Sequence, residues 1–157
     1  MSVIYAVDVT EALFQDLPEL SSMEFGSINT SWSLDALSQS LSNGCQILKI
    51  LVDGQSCGYC LFRNVRDETE ILNIVIAESR RRQGLAKTLL IGLIEKLRSS
   101  SSGKIWLEVR KSNTAAQKMY EIMGFKQAGI RKNYYRVGKT GSGNSGMEDA
   151  LVLCKDL

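Results

Sequence analysis

The sequence predicts a mixed α/β domain whose first half is a largely antiparallel sheet. Three observations carry this. Strand-like segments at 45–52, 58–63 and 70–76 follow one another across short turns, the pattern of a meander. Leu85, Leu89, Leu93 and Leu97 recur at i, i+4 with Ala86, Leu90 and Ile94 beside them, a wide apolar helical stripe. Beyond that helix, strand-like and helix-like segments alternate. A chain of 157 residues, 44% hydrophobic and 23% charged, suits one domain spanning 1–157 around one sizeable core.

Taken in order, a first strand is expected at 3–7. Thr10 can cap a helix through Ala12, Leu13 and Leu17, and 19–33 reads as irregular, with Gly26 and Asn29. Ser33 can cap a second helix that buries Leu34, Leu37 and Leu41. Asp53-Gly54 is a hairpin signal between the first two meander strands, and Asp67-Glu68 marks the next turn. In the third strand Leu72, Ile74 and Ile76 fall on one face. Ser99 to Ser102 with Gly103 end the long helix. Strand 104–110 puts Ile105, Leu107 and Val109 on one face and Trp106, Glu108 and Arg110 on the other. Asn113 caps a helix that stops before Gly124. Residues 125–135 are mostly strand, 138–146 a Gly/Ser-rich loop and 147–154 a last strand. The total is seven strands and four helices.

Composition excludes several classes of function. With no histidine in the chain, a histidine base and a histidine metal ligand are both ruled out, and Glu, Asp, Tyr, Lys or Cys must move any proton. A net charge of +2 argues for no nucleic-acid partner. The N-terminal MSVIYAVDVTEALF has no basic leader, and no apolar run reaches membrane-span length, so a cytoplasmic protein is expected. Cys57 and Cys60 form a C-x-x-C inside a strand, where that spacing sends the two side chains to opposite faces. No second C-x-x-C completes a zinc site, so structural cysteines and no metal are expected.

The chemistry-bearing stretch begins at "ESRRRQGLAKTLL". Gly84 opens the long helix, where unpaired backbone N–H groups and the helix dipole favour an anion. Arg81, Arg82 and Lys87 add full charges. No Gly-Lys-Ser/Thr follows, and G-x-G-x-x-G is missing, so neither a Walker loop nor a dinucleotide fingerprint is present. On charge alone, a pyrophosphate cradle and a solvated basic turn both remain open.

The order strand, R-R-Q-G-L-A, helix is similar to the acetyl-CoA signature Q/R-x-x-G-x-G/A of the GNAT superfamily, with Arg81, Gly84 and Ala86 in the defined positions. "LEVRKSNTAAQKMYEIMGF" from Leu107, "ILNIVI" upstream, "RKNYY" from Arg131 and "MEDALVL" near the end resemble the ribosomal-protein-alanine N-acetyltransferases, the RimI type. The match spans about half the chain, from near Ile71 to Leu153. Ala86 stands where a second glycine is commoner, Trp32 lacks the proline that usually precedes it, and the 139–146 loop is longer and richer in Gly and Ser than is usual.

The resemblance implies a mixed, mostly antiparallel sheet whose splayed central strands form an acetyl-CoA cleft. It implies that Ile74, Val75 and Ile76 bond the pantetheine arm through their backbone, and that Arg81, Arg82, Gln83, Gly84, Leu85, Ala86 and Lys87 hold the pyrophosphate. It further implies transfer to the N-terminal alanine of small-subunit ribosomal protein eighteen, or its N-terminal peptide, with Glu108 as general base and Tyr120 as general acid. On the residues alone, Glu108 is equally a carboxylate paired with Arg110, and Tyr120 reads first as a core aromatic packed with Met119 and Met123. Asn113 and Tyr120 lie seven residues apart and share one helix face, where Asn113 can bond the cofactor arm. Trp32, Tyr134, Tyr135, Glu148 and Asp149 are candidate acceptor-lining residues, aromatic to hold a chain and acidic to meet basic side chains. Alternatives are another amine acceptor, a non-catalytic acyl-CoA-binding module, and a nucleic-acid-binding protein using Arg80 to Arg82.

Overall fold

The computed structural model describes residues 5–23, 32–138 and 146–157. Its strands are β1 (Val7–Glu11), β2 (Gln46–Val52), β3 (Gln55–Val65), β4 (Glu68–Ile76), β5 (Lys104–Arg110), β6 (Lys126–Arg136) and β7 (Met147–Asp156). Its helices are α1 (Leu17–Ser22), α2 (Leu34–Ser42), α3 (Leu85–Arg98) and α4 (Thr114–Ile122). The strands form one sheet in the order β1-β2-β3-β4-β5-β7-β6. Every neighbouring pair is antiparallel except β4 and β5, which run parallel. The mixed, mostly antiparallel fold expected from the sequence is therefore the one observed.

Two apolar layers clamp the sheet. Leu85, Leu89, Leu90, Leu93, Ile94 and Leu97 of α3 and Tyr120 of α4 pack on Leu48, Ile50, Phe62, Leu107 and Val109. On the opposite face, Leu17, Leu20 and Leu37 of α1 and α2 pack on Ile47, Tyr59 and Leu61. The caps follow the sequence. Ser33 Oγ accepts from the Ala36 N–H at 3.1 Å, and Asn113 Oδ1 accepts from the Ala116 N–H at 3.2 Å.

The N-terminal expectations need correction. Thr10 caps no helix; it lies in β1 and pairs with Lys49. The strand runs over Val7–Glu11, not 3–7, because Val7 and Val9 continue the pairing with Val52 and Ile50. Helix α1 starts only at Leu17, with Pro18 in its first turn, where a missing N–H costs nothing. Residues 19–22 are thus helical, not irregular. Of the segments expected to be irregular or loop, 24–31 and 139–145 lie outside the described residues, as do positions 3 and 4 of the expected first strand.

Two bulges overturn two face assignments. Gly58 opposes Ile50 while Ser56 opposes Leu51, so Cys57 is an extra residue against β2. It therefore turns to the same side as Cys60, and both free thiols are buried in the α3-side core. Likewise Leu61 opposes Asn73 while Phe62 opposes Ile71, leaving Leu72 extra in β4. Leu72 consequently packs toward α1 and α2, while Ile74 and Ile76 pack toward α3.

Candidate active site

Strands β4 and β5 pair only over Glu68–Ile71 against Lys104–Leu107. Beyond that register β4 runs on to Ile76 and β5 to Arg110 without meeting again. The Leu72 bulge sits where they part, and a bulge bends its strand. On the other flank, β4 presses against Gly58. A Cβ there would overlap the Val75 carbonyl oxygen and come within 2.6 Å of Ile76 Cδ1. The resulting gap is a cavity of about 500 Å³ lined by Ile71 to Ile76, Leu107 to Arg110, Arg81, Ala86, Asn113, Tyr120, Tyr135 and Trp32. Most of the residues singled out in the sequence thus face one cleft.

One end of the cleft is the basic turn. Arg81 Nε donates to the Ile76 carbonyl at 3.2 Å, tying the turn to the end of β4. Arg82 (φ 61°) and Gly84 (φ 76°) both adopt left-handed backbone, which folds the chain back onto the start of α3. Gly84 caps the helix with no side-chain hydrogen bond, and nothing lies within 4 Å of where its Cβ would be. The first-turn N–H groups therefore face open space beside Arg81, Arg82, Gln83 and Lys87, all exposed. Leu85 sends its side chain into the core, leaving its N–H as the group it offers. This chemistry fits a pyrophosphate, and the unpaired edge of β4 at Ile74 to Ile76 fits an amide-bearing arm. Among the described residues no cluster of three or more His, Cys, Asp or Glu suits a metal ion.

The other wall is built of side chains. Glu108 lies on β5 with its carboxylate 2.6 Å from Arg131 Nε of β6. The expected alternative partner, Arg110, is engaged elsewhere, 2.7 Å from Glu148 on β7. The cross-strand register explains the exchange. Ala150 of β7 sits between Arg110 and Arg131, and its methyl leaves both guanidinium groups room to reach a carboxylate on a neighbouring strand. Arg110 stacks over the Tyr135 ring at 4.3 Å, and Arg131 over the Tyr134 ring at 5.2 Å.

A second irregularity sets these tyrosines. Arg131 opposes Ala150 and Tyr135 opposes Glu148, so 132–134 loop out against Asp149 alone. Asn133 takes a left-handed φ of 50° at the apex. Asp149 Oδ1 accepts from the Asn133 N–H at 3.0 Å and Oδ2 pairs with Lys132. Asp149 therefore anchors the bulge and is not among the cleft-lining residues. The bulge brings consecutive tyrosines, which a regular strand would point apart, to the same carboxylate. A hydrogen bond to Glu108, then burial, raises the Tyr134 phenol above its ordinary value. Burial, then the Glu108 charge, pushes Tyr135 up to about 12. Hydrogen bonds from Arg110 and Ser112 hold Glu148 below the usual carboxylate range, and the Asn133 N–H with Lys132 does the same for Asp149.

Tyr120 and Asn113 line the cleft from α4, as their seven-residue spacing implies. Tyr120 is buried, edge-on to Phe125 at a centroid distance of 5.5 Å. Burial, with Cys60 and Tyr135 nearby, raises its phenol well above the usual tyrosine range, so it stays protonated. Core aromatic and cleft-lining phenol are one residue here. Sequence reasoning missed the part played by Arg131. The available signal was two arginines and two glutamates on adjoining strands, which can pair in more than one way.

Residues 8–125 match the Acetyltransferase (GNAT) family. The chain is 31% identical over 153 residues to the [ribosomal protein bS18]-alanine N-acetyltransferase of Escherichia coli K12, covering 98% of this chain and 96% of that protein. It superposes on the crystal structure of the ribosomal-protein-S18-alanine N-acetyltransferase from Escherichia coli with a TM-score of 0.86 at 30% identity, covering 96% of this chain and 94% of that one. A ribosomal-protein-alanine N-acetyltransferase from Brucella melitensis superposes with a TM-score of 0.76 at 25% identity, covering 96% of this chain and 99% of that one.

Proposed function

The chain belongs to the acetyltransferase (GNAT) family, and from that premise we propose that it acetylates the N-terminal α-amine of a small-subunit ribosomal protein, an alanine terminus of the bS18 type. The observation that carries the proposal is the parting of β4 from β5, which opens between a basic helix N-terminus and the Glu108–Tyr120 pair. Near full-length similarity to enzymes named for that acceptor supports its identity.

Acetyl-CoA, when bound, supplies the thioester from which the acetyl group leaves. Arg81, Arg82, Lys87 and the N–H groups of Gly84 to Lys87 hold its pyrophosphate, with Gln83 at the rim. The β4 edge over Ile74 to Ile76 would bond the pantetheine arm through the N–H groups of Ile74 and Ile76, because the Val75 peptide faces β3 and Ala77 donates to Cys57 there. Asn113 spends its Oδ1 on capping α4, which leaves its amide N–H groups for the same arm.

A free α-amine titrates at about 7.7–8.0, so a proton must leave before or during attack. Glu108 takes that proton, directly or through one water. Tyr120, kept protonated by its surroundings, delivers a proton to the departing sulfur. Both groups then re-equilibrate with solvent. Trp32 and Tyr135 flank the acceptor chain, while Glu148 acts from behind by holding Arg110 against Tyr135.

A peptide panel with acetyl-CoA tests this. An alanine-initiated basic peptide should gain one acetyl group on its α-amine, located by mass spectrometry. Modification confined to lysine side chains, or none at all, would refute the acceptor assignment.

A further inference from the structure

We infer that Arg131 is a latch on Glu108, occupying the carboxylate until the ammonium of the incoming acceptor displaces it. This rests on the acetyl-transfer proposal above and adds to it the residue that tunes acceptor entry.

Four observations support the latch. Arg131 Nε meets Glu108 Oε1 at 2.6 Å, so an incoming acceptor ammonium competes with the guanidinium for that oxygen. The pair is lopsided in burial: the Arg131 side chain is 56% exposed and the Glu108 side chain 19%. A guanidinium so open to water is held weakly and can move away at little cost. Its other contact, the face of Tyr134 at 5.2 Å, gives it a resting place beside the carboxylate. Finally, Glu108 lines two cavities. One is the cofactor cleft, and the other is a groove of about 350 Å³ bounded by Arg63, Glu68, Glu70, Trp106 and Arg131. The ion pair stands where the two share a wall.

The neighbouring pair shows what a fixed clamp looks like in the same sheet. Arg110 is only 22% exposed, Glu148 18%, and the second Glu148 oxygen accepts from the Ser112 N–H at 3.1 Å. Arg131 has no such burial. An ammonium is a cation of the same sign, so it replaces the guanidinium without leaving the carboxylate unpaired. A neutral or blocked N-terminus offers no such replacement, and so meets a closed site.

The test uses the full chain and its arginine Nε–H resonances. The Arg131 resonance is identified by its loss in Arg131→Lys. In the presence of CoA, L-alaninamide should move it toward the position of a solvated arginine, and N-acetyl-L-alaninamide should leave it unmoved. With an alanine-initiated peptide, Arg131→Gln should lower the acceptor KM about two- to fivefold, the range of an exposed ion pair, a larger change than in kcat. Arg131→Lys, which keeps the charge, should retain the wild-type KM. A resonance unmoved by amine that the enzyme demonstrably acetylates overturns the latch and leaves the acceptor assignment standing. So does a raised KM with reduced kcat in Arg131→Gln that lysine fails to rescue. A resonance that moves with amine while no α-amine is acetylated does the reverse. If Arg131→Gln does not fold, the wild-type spectra decide alone.

Discussion

The two walls of the cleft are made of different material. On the β4–α3 side the working groups are backbone: the free edge of Ile74 to Ile76 and the first-turn N–H groups after Gly84. On the β5–β7–β6 side they are side chains: Arg110, Glu148 and Tyr135 in a half-buried clamp, and Glu108 with the exposed Arg131 and Tyr134. A backbone wall depends on where the chain goes, and so on glycines and bulges. A side-chain wall depends on which residues the register brings together. The first suits a cofactor of constant shape, the second an acceptor that must be discriminated.

Substitutions should separate the walls. The largest effect is expected from the two groups proposed to move protons. Tyr120→Phe or Glu108→Gln should each lower kcat by about 10²-fold or more. Acetyl-CoA affinity, measured by calorimetry, should be unchanged, and a comparable loss of affinity would merge the two walls into one. Next is Gly58→Ala, which carries no catalytic group. Its methyl pushes on the Val75 carbonyl, so about 1–3 kcal/mol of stability should be lost and acetyl-CoA should bind more weakly. Equal affinity in a folded Gly58→Ala protein would mean that the backbone wall tolerates displacement.

Smaller is Glu148→Gln. It loosens Arg110 and hence Tyr135, so acceptor KM should rise about two- to fivefold while the acetyl-CoA KM stays constant.

The smallest effect is on the pH dependence of stability. Asp16, Glu148 and Asp149 have depressed values in the folded state, so they bind fewer protons there than when unfolded. Their contribution is complete above the unfolded carboxylate range near pH 4 and is lost as pH falls through the folded values. Tyr120, Tyr134 and Tyr135 are raised, so their contribution is complete below about pH 10 and is lost as pH rises toward the folded values. Thermal unfolding from pH 3 to 11 should show a plateau between these limits. A stability maximum below pH 4 would contradict the carboxylate assignments.

The sequence carried one wall much better than the other. Apolar periodicity located α3 to within a residue, and the glycine-bearing basic turn marked its N-terminus. The strand over 104–110 and the caps at Ser33 and Asn113 were equally plain, because each depends on neighbours in the chain. Bulges were not legible. The extra residues Cys57 and Leu72 look like ordinary strand members, and only pairing with a distant strand exposes them. The same holds for 132–134, where Asp149 props a backbone turn that no local pattern announces. The Glu108 partner was missed for a related reason. Proximity along β5 favoured Arg110, whereas register across β7 delivered Arg131. The false helix at Thr10 came from weighing a capping residue above the Val7–Val9 alternation.

The short parallel register between β4 and β5 has a consequence for binding thermodynamics. Only four residues of each strand pair, and the divergence is fixed by the Leu72 bulge and by the bare Gly58 beneath Val75. The gap is therefore set by the strand pairing and the close packing of β4 on β3. A ligand entering a preformed slot forfeits little chain entropy, since the receiving amides are already ordered. Association should then show the enthalpy of new hydrogen bonds with only a small ordering penalty.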